Sequence, residues 1–193
     1  TQTFKSDIDF GLDLFPATNV KENCDISSGV FVDAKPESSA PIMEVLNDAA
    51  PEGATPLLLA MEQYLNTDHA PIFLDGQSNS YLVIVSDGED TFGTVGVYKE
   101  DPAEDEALGE MSARLLEEMG IRTLVIGFGG KVKPNQLNAI AKNGGTQFET
   151  YFDAADGEEL RETLNTIAES VMISCNFEIG IQNEDKVDLD LTV

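Results

Sequence analysis

Three carboxylates crowd the stretch Val85-Ser86-Asp87-Gly88-Glu89-Asp90-Thr91-Phe92-Gly93, which comes directly after the apolar run Tyr81-Leu82-Val83-Ile84-Val85. A buried strand that ends on a carboxylate, a glycine and two further acids offers three things. It can give oxygen ligands to a cation, act as part of a phosphate-handling site, or serve as an acidic turn. A second oxygen donor, Thr55 in Gly53-Ala54-Thr55-Pro56, stands at the start of another element. Hydroxyl and carboxylate oxygens on loops suit a hard cation, Mg²⁺ or Ca²⁺. Each residue also has a plainer reading, since a threonine before a proline caps helices and an Asp-Gly pair makes turns. Neither Asp75 nor Asp87 begins the D-x-D-x-D-G-x₅-E spacing of an EF-hand.

Other chemistries find less support. Gly127-Phe128-Gly129-Gly130-Lys131-Val132-Lys133 is rich in glycine but lacks the G-x-x-x-x-G-K-[ST] spacing, and no G-x-G-x-x-G opens a helix. It reads as a tight turn leaving a strand. His69, the one histidine, lies in a loop-like stretch, and no G-x-S-x-G nucleophile elbow occurs. The only cysteines, Cys24 and Cys175, sit beside turn-like sequence. They are read as a disulfide, with two buried thiols as the alternative. The bridge would close a loop of about 150 residues, on the order of 5 kcal/mol in the chain-entropy account.

The elements that must position these residues are set by period and punctuation. Residues 9–15 read as a strand stopped by Pro16, and 29–33 as a short second strand. Helices are predicted over 38–50, which opens on serines, and over 53–65, with Thr55 as cap and Pro56 in the first helical position. The continuous apolar runs in 78–87 and 121–129 predict strands buried on both faces, as in a parallel sheet. Between them, 104–120 is an amphipathic helix closed by Gly120. Pro134 opens the next helix, which Gly144-Gly145 closes. A strand over 146–153 and a helix over 156–172, capped by Asp156, come next. The tail beyond 172 alternates apolar and polar residues and reads as further β structure. The expected fold is therefore α/β: a three-layer, doubly wound, mostly parallel sheet over 1–172, with a β-rich extension or the start of a next module over 173–193. Ligands of such folds lie at the carboxyl ends of the strands, where Asp87 falls.

Charge narrows the partners. Against 36 acids the chain sets only 11 Lys+Arg, a formal net charge of -25, so polyanions such as nucleic acid are repelled. The 41% hydrophobic content suits a packed domain, and no apolar run approaches the roughly 20 residues that cross a bilayer. The N-terminal stretch, Thr1 to Gly11, holds no apolar h-region.

Taken in order, these motifs resemble von Willebrand factor type A domains, particularly bacterial extracellular ones. Residues 53–65 and then 81–90 resemble the second and third motifs of that family, with Thr55 and Asp87 at its metal-site positions and Ser86 where threonine is common. Residues 121–148 are similar to its fifth strand, the next helix and the Gly-Gly turn, and 9–16 to its second strand. The resemblance covers roughly residues 8–172. It implies a metal-ion-dependent adhesion site, in which domain oxygens hold Mg²⁺ or Ca²⁺ and a carboxylate of a protein or surface ligand completes the shell. Thr55 would coordinate directly or through water and Asp87 mainly through water, leaving Glu89 and Asp90 on the rim.

The family's first motif, Asp-x-Ser-x-Ser after the first strand, is absent; the nearest stretch, Asp25-Ile26-Ser27-Ser28-Gly29, lacks the second spaced serine. That strand is therefore expected upstream of Thr1 or from a partner chain, and the metal site is expected to be incomplete within these residues. The resemblance implies a non-enzymatic adhesion or protein-binding module, secreted, periplasmic or on the cell surface. A structural subunit of a surface assembly with a degenerate metal site is the alternative. A receiver-like phosphotransfer domain, with Asp87 as acceptor and Lys131 after a later strand, is a third reading, but it lacks paired acids after a first strand.

Overall fold

A computed structural model describes residues 8–15, 30–49, 55–66, 79–87 and 102–177. Along the chain these form β1 (Phe10–Asp13), β2 (Val30–Lys35), α1 (Ser39–Asp48), α2 (Leu57–Glu62) with a 3-10 turn (Gln63–Leu65), and β3 (Ser80–Ser86). Then come α3 (Pro102–Met119), β4 (Ile121–Phe128), α4 (Pro134–Asn143), β5 (Phe152–Ala154) and α5 (Gly157–Phe177). The fold is mixed α/β, and its centre is a parallel sheet in the order β3-β4-β5. β3 and β4 run in register from Ser80 against Ile121 to Ser86 against Gly127. β1 and β2 form a separate antiparallel pair. Among the described residues β3 pairs with β4 alone, and Asp87 comes just past its carboxyl end.

The apolar runs behave as their lack of alternation predicts: both faces of β4 are buried. Ile121 and Val125 point into one core with Ile84 of β3, Leu57 and Met61 of α2, Leu108 and Leu115 of α3, and Leu137 and Ile140 of α4. Leu124 and Ile126 point the other way, against Ala154 and Ile167 of α5. Helices therefore flank the sheet on both faces, as in Rossmann-like α/β folds. Each fully buried leucine contributes about 1.5–3 kcal/mol.

The helix on either side of β4 must come close to be sealed against it. Gly109 of α3 faces α4, where a Cβ would meet Asn143 Nδ2 at 2.9 Å and the Ala139 carbonyl oxygen at 3.2 Å. Nearby, the buried Ser112 hydroxyl donates to the Ile140 carbonyl at 3.0 Å. α3 ends as its Gly120 predicts, in left-handed backbone (φ 68°), with the Gly120 amide donating to Leu116. After α4 the two glycines have different duties. The Gly144 carbonyl accepts from the Thr123 amide at 2.8 Å, and a Cβ there would overlap the Thr123 carbonyl. Gly145 takes φ 69°.

Three boundaries differ from expectation. The strand predicted over 146–153 shrinks to Phe152–Ala154. Its first residues form hydrogen bonds elsewhere: the Phe148 amide donates to Thr146 Oγ1 (3.2 Å), and the Tyr151 amide donates to Asn138 Oδ1 of α4 (3.1 Å). α2 starts only at Leu57, with Pro56 in the cap position, so Thr55 lies one residue outside the cap it was assigned. At the other end, α5 opens on Asp156 as predicted, whose Oδ1 accepts from the amides of Glu158 (2.9 Å) and Glu159 (3.1 Å). It then runs to Phe177, so 173–177 continue a helix where β structure was expected. Residues 178–193 lie outside the described residues.

Gly144→Ala is expected to destabilise the fold by about 1–3 kcal/mol, because backbone rather than a movable side chain blocks the methyl group. Gly130→Ala, where a Cβ would meet nothing within 4 Å, is the control. Urea unfolding of both variants checks this. The same measurement on Thr123→Val is expected to show no loss or a gain of up to about 1 kcal/mol, since Thr123 Oγ1 is buried with no partner among the described residues.

Candidate functional site

Asp87 is the first residue past β3, at its carboxyl end, and is exposed. Ser86, just before it, is buried and paired in register with Gly127 of β4. Thr55 lies two residues ahead of α2; it is half-buried, and its carbonyl accepts from the Leu57 amide at 3.0 Å. The two residues are linked through packing: Leu57 and Met61 of α2 and Ile84 of β3 belong to one buried cluster. A hydroxyl and a carboxylate thus flank elements that share a core. Two such oxygens do not complete the six to eight ligands of Ca²⁺ or the octahedron of Mg²⁺. Among the described residues no group of three or more His, Cys, Asp or Glu side chains stands close enough to hold a metal ion. Glu89, Asp90, His69 and Cys24 lie outside the described residues, and with Cys24 the disulfide expectation does too. Cys175 falls in the last turn of α5.

The glycine-rich stretch after β4 is the turn its sequence predicts. Gly129 adopts φ 82°, its amide donates to the Ala154 carbonyl at 2.9 Å, and Pro134 then occupies the first turn of α4. Lys131 is exposed on that turn.

One interaction that the sequence does not announce ties this region to the β1–β2 pair. The phenol of Tyr64, in the 3-10 turn that extends α2, donates to Asp13 Oδ2 at the end of β1 over 3.0 Å. Phe15, just beyond, packs on the same core as Tyr64. Burial of the ring, and next the negative charge of Asp13 and the hydrogen bond to it, push the Tyr64 phenol far above its ordinary range. The segment that begins at Thr55 is thereby fixed at its far end.

No helix among the described residues is long and apolar enough to cross a membrane. Comparison of the chain with protein-family models and with characterised proteins finds no match.

Tyr64→Phe removes a hydrogen bond to a charged acceptor and is expected to cost about 1.5–3 kcal/mol at neutral pH. The pH dependence has a definite sign. The folded state favours the neutral phenol, so this contribution is complete below the unfolded tyrosine pKa of about 10 and declines as the pH rises above it. Urea unfolding between neutral pH and about pH 11 is expected to show a shallower alkaline loss in Tyr64→Phe than in the unsubstituted chain.

Proposed function

We propose that the chain is an adhesion or protein-binding module with a metal-ion-dependent site of the von Willebrand factor type A kind, built on a doubly wound sheet. The observation that carries this reading is the ordered pair of oxygen donors: Thr55 ahead of α2, and Asp87 ending β3, on elements packed together through Leu57, Met61 and Ile84. In this reading Thr55 Oγ1 binds Mg²⁺ or Ca²⁺ directly or through one water, and Asp87 holds a bound water. Few anionic ligands then sit on the cation, so it keeps enough charge to attract a carboxylate of a protein or surface ligand. The remaining oxygens of the shell come from groups other than these two. The acidic surface suits a secreted, periplasmic or surface setting, and a Cys24–Cys175 disulfide belongs to the same oxidising environment.

The test is Mn²⁺ binding to the full-length protein, monitored by electron paramagnetic resonance. One saturable site is expected, weakened about ten-fold or more by Thr55→Ala and by Asp87→Ala, with thermal unfolding of the metal-free protein unchanged. A folded protein that binds no Mn²⁺ would overturn the metal-dependent reading and leave that of a structural subunit. Phosphate incorporation at Asp87 from a small phosphodonor would instead identify a phosphotransfer domain.

A further inference from the structure

Asn143-Gly144 is the one Asn-Gly pair in the chain, and it closes α4. Such a pair carries chemistry of its own. The Gly144 amide nitrogen, once it sheds its proton, can attack the Asn143 side-chain carbonyl carbon, Cγ. A C–N bond forms, the side-chain nitrogen takes up a proton and leaves as ammonia, and a succinimide ring remains. Water then opens the ring at either carbonyl, giving aspartate or isoaspartate, and it is the only reagent consumed. Glycine favours the attack, because no Cβ shields its nitrogen or limits rotation of the backbone. Asparagine is accordingly counted among the thermolabile residues.

The fold holds both reacting groups back. Asn143 Nδ2 donates to the Ala139 carbonyl oxygen at 2.8 Å, which draws the side-chain amide along the helix and away from Gly144. The Gly144 amide donates to the Ala141 carbonyl at 3.1 Å, so its proton is engaged, and Gly144 is buried although Asn143 is exposed. Asn143 is the last residue of α4, and helical backbone keeps the following nitrogen from rotating onto Cγ. The Gly144 carbonyl also accepts from the Thr123 amide of β4 at 2.8 Å. That contact has no slack, since a Cβ on Gly144 would overlap the Thr123 carbonyl. Isoaspartate would insert one carbon into the main chain immediately before it. The new carboxylate would lie at the carboxyl end of α4, where the helix dipole disfavours negative charge. We infer that Asn143 is a site of spontaneous succinimide-forming modification that the folded chain keeps silent, and that modification after opening prevents the Gly144–Thr123 contact from returning. Opening of the end of α4 is thereby converted from a reversible event into an irreversible one. The inference stands whether or not a metal binds at Thr55 and Asp87.

The full-length protein and a synthetic peptide of residues 138–150 are incubated side by side in mildly alkaline buffer, and isoaspartate is located and quantified by peptide mapping with mass spectrometry. The folded protein is expected to react at Asn143 at least about ten-fold more slowly than the peptide. The same protein unfolded in urea is expected to approach the rate of the peptide, with Asn143 its fastest site. After urea is removed, the isoaspartate fraction is expected to unfold at a temperature at least about 4 °C lower than the unmodified protein. Asn143→Gln, carried through the same treatment, is expected to recover its original transition. Equal rates in folded protein and peptide, or faster modification at another asparagine of the unfolded chain, would overturn the inference. So would an isoaspartate fraction that regains the original transition, or an Asn143→Gln chain that loses its own.

Discussion

The structure turns on the burial of β4 from both sides. A strand in that position cannot alternate apolar with polar residues, because each successive side chain enters one of two cores. Ile121 and Val125 belong to the core under α2, α3 and α4, while Leu124 and Ile126 belong to the core under α5. Its backbone is occupied in the sheet by β3 on one edge and by β5 on the other. Close packing over such a strand leaves no room for error at the helix ends. Gly144 must present a carbonyl to Thr123 without a side chain in the way, and Gly109 must let α3 and α4 approach. The positions of Asp87 and of α2 depend on the same constraint, since β3 is held in register by β4 and α2 packs on β3 through Leu57 and Met61.

Much of this was legible in the residues themselves. Two continuous apolar runs marked β3 and β4, Pro134 opened α4, Asp156 capped α5, and Gly120 ended α3. These are local signals with local causes. Expectation and structure part where distant groups compete. Residues 146–151 have the composition of a strand, but Thr146 closes a turn on Phe148, and Asn138 of α4 takes the Tyr151 amide. The start of α2 moved past Thr55 because Pro56, whose ring offers no hydrogen-bonding group, took the cap position. The candidate site divides in the same manner. That Thr55 and Asp87 flank element ends was visible from spacing, whereas the oxygens that complete a coordination shell depend on tertiary placement, which spacing does not encode.

The bond between Tyr64 and Asp13 belongs to that second class. Its partners are 51 positions apart, and no local spacing relates them. It links the β1–β2 pair to the turn extending α2, and so sets the mounting of α1 as well, since α1 rests on that pair. A buried phenol is well matched to this task. It adds apolar surface to the core and neutralises no charge, while its one polar atom meets the carboxylate at the margin.

The length of α5 has a consequence for the molecule as a whole. Its 21 residues span about 31 Å, somewhat more than the roughly 26 Å of the eight-residue β4. The helix starts just past the carboxyl end of β5, and its Leu160, Ile167 and Val171 all pack on the sheet side of the second core. It must therefore travel back along the strands toward their amino ends. That gives the domain two poles. Asp87 and the turn carrying Lys131 emerge at one, and the chain leaves α5 near Cys175 at the other. The last turn of α5 is thereby held on the side of the domain away from Asp87, so a change at either pole can be made without touching the other.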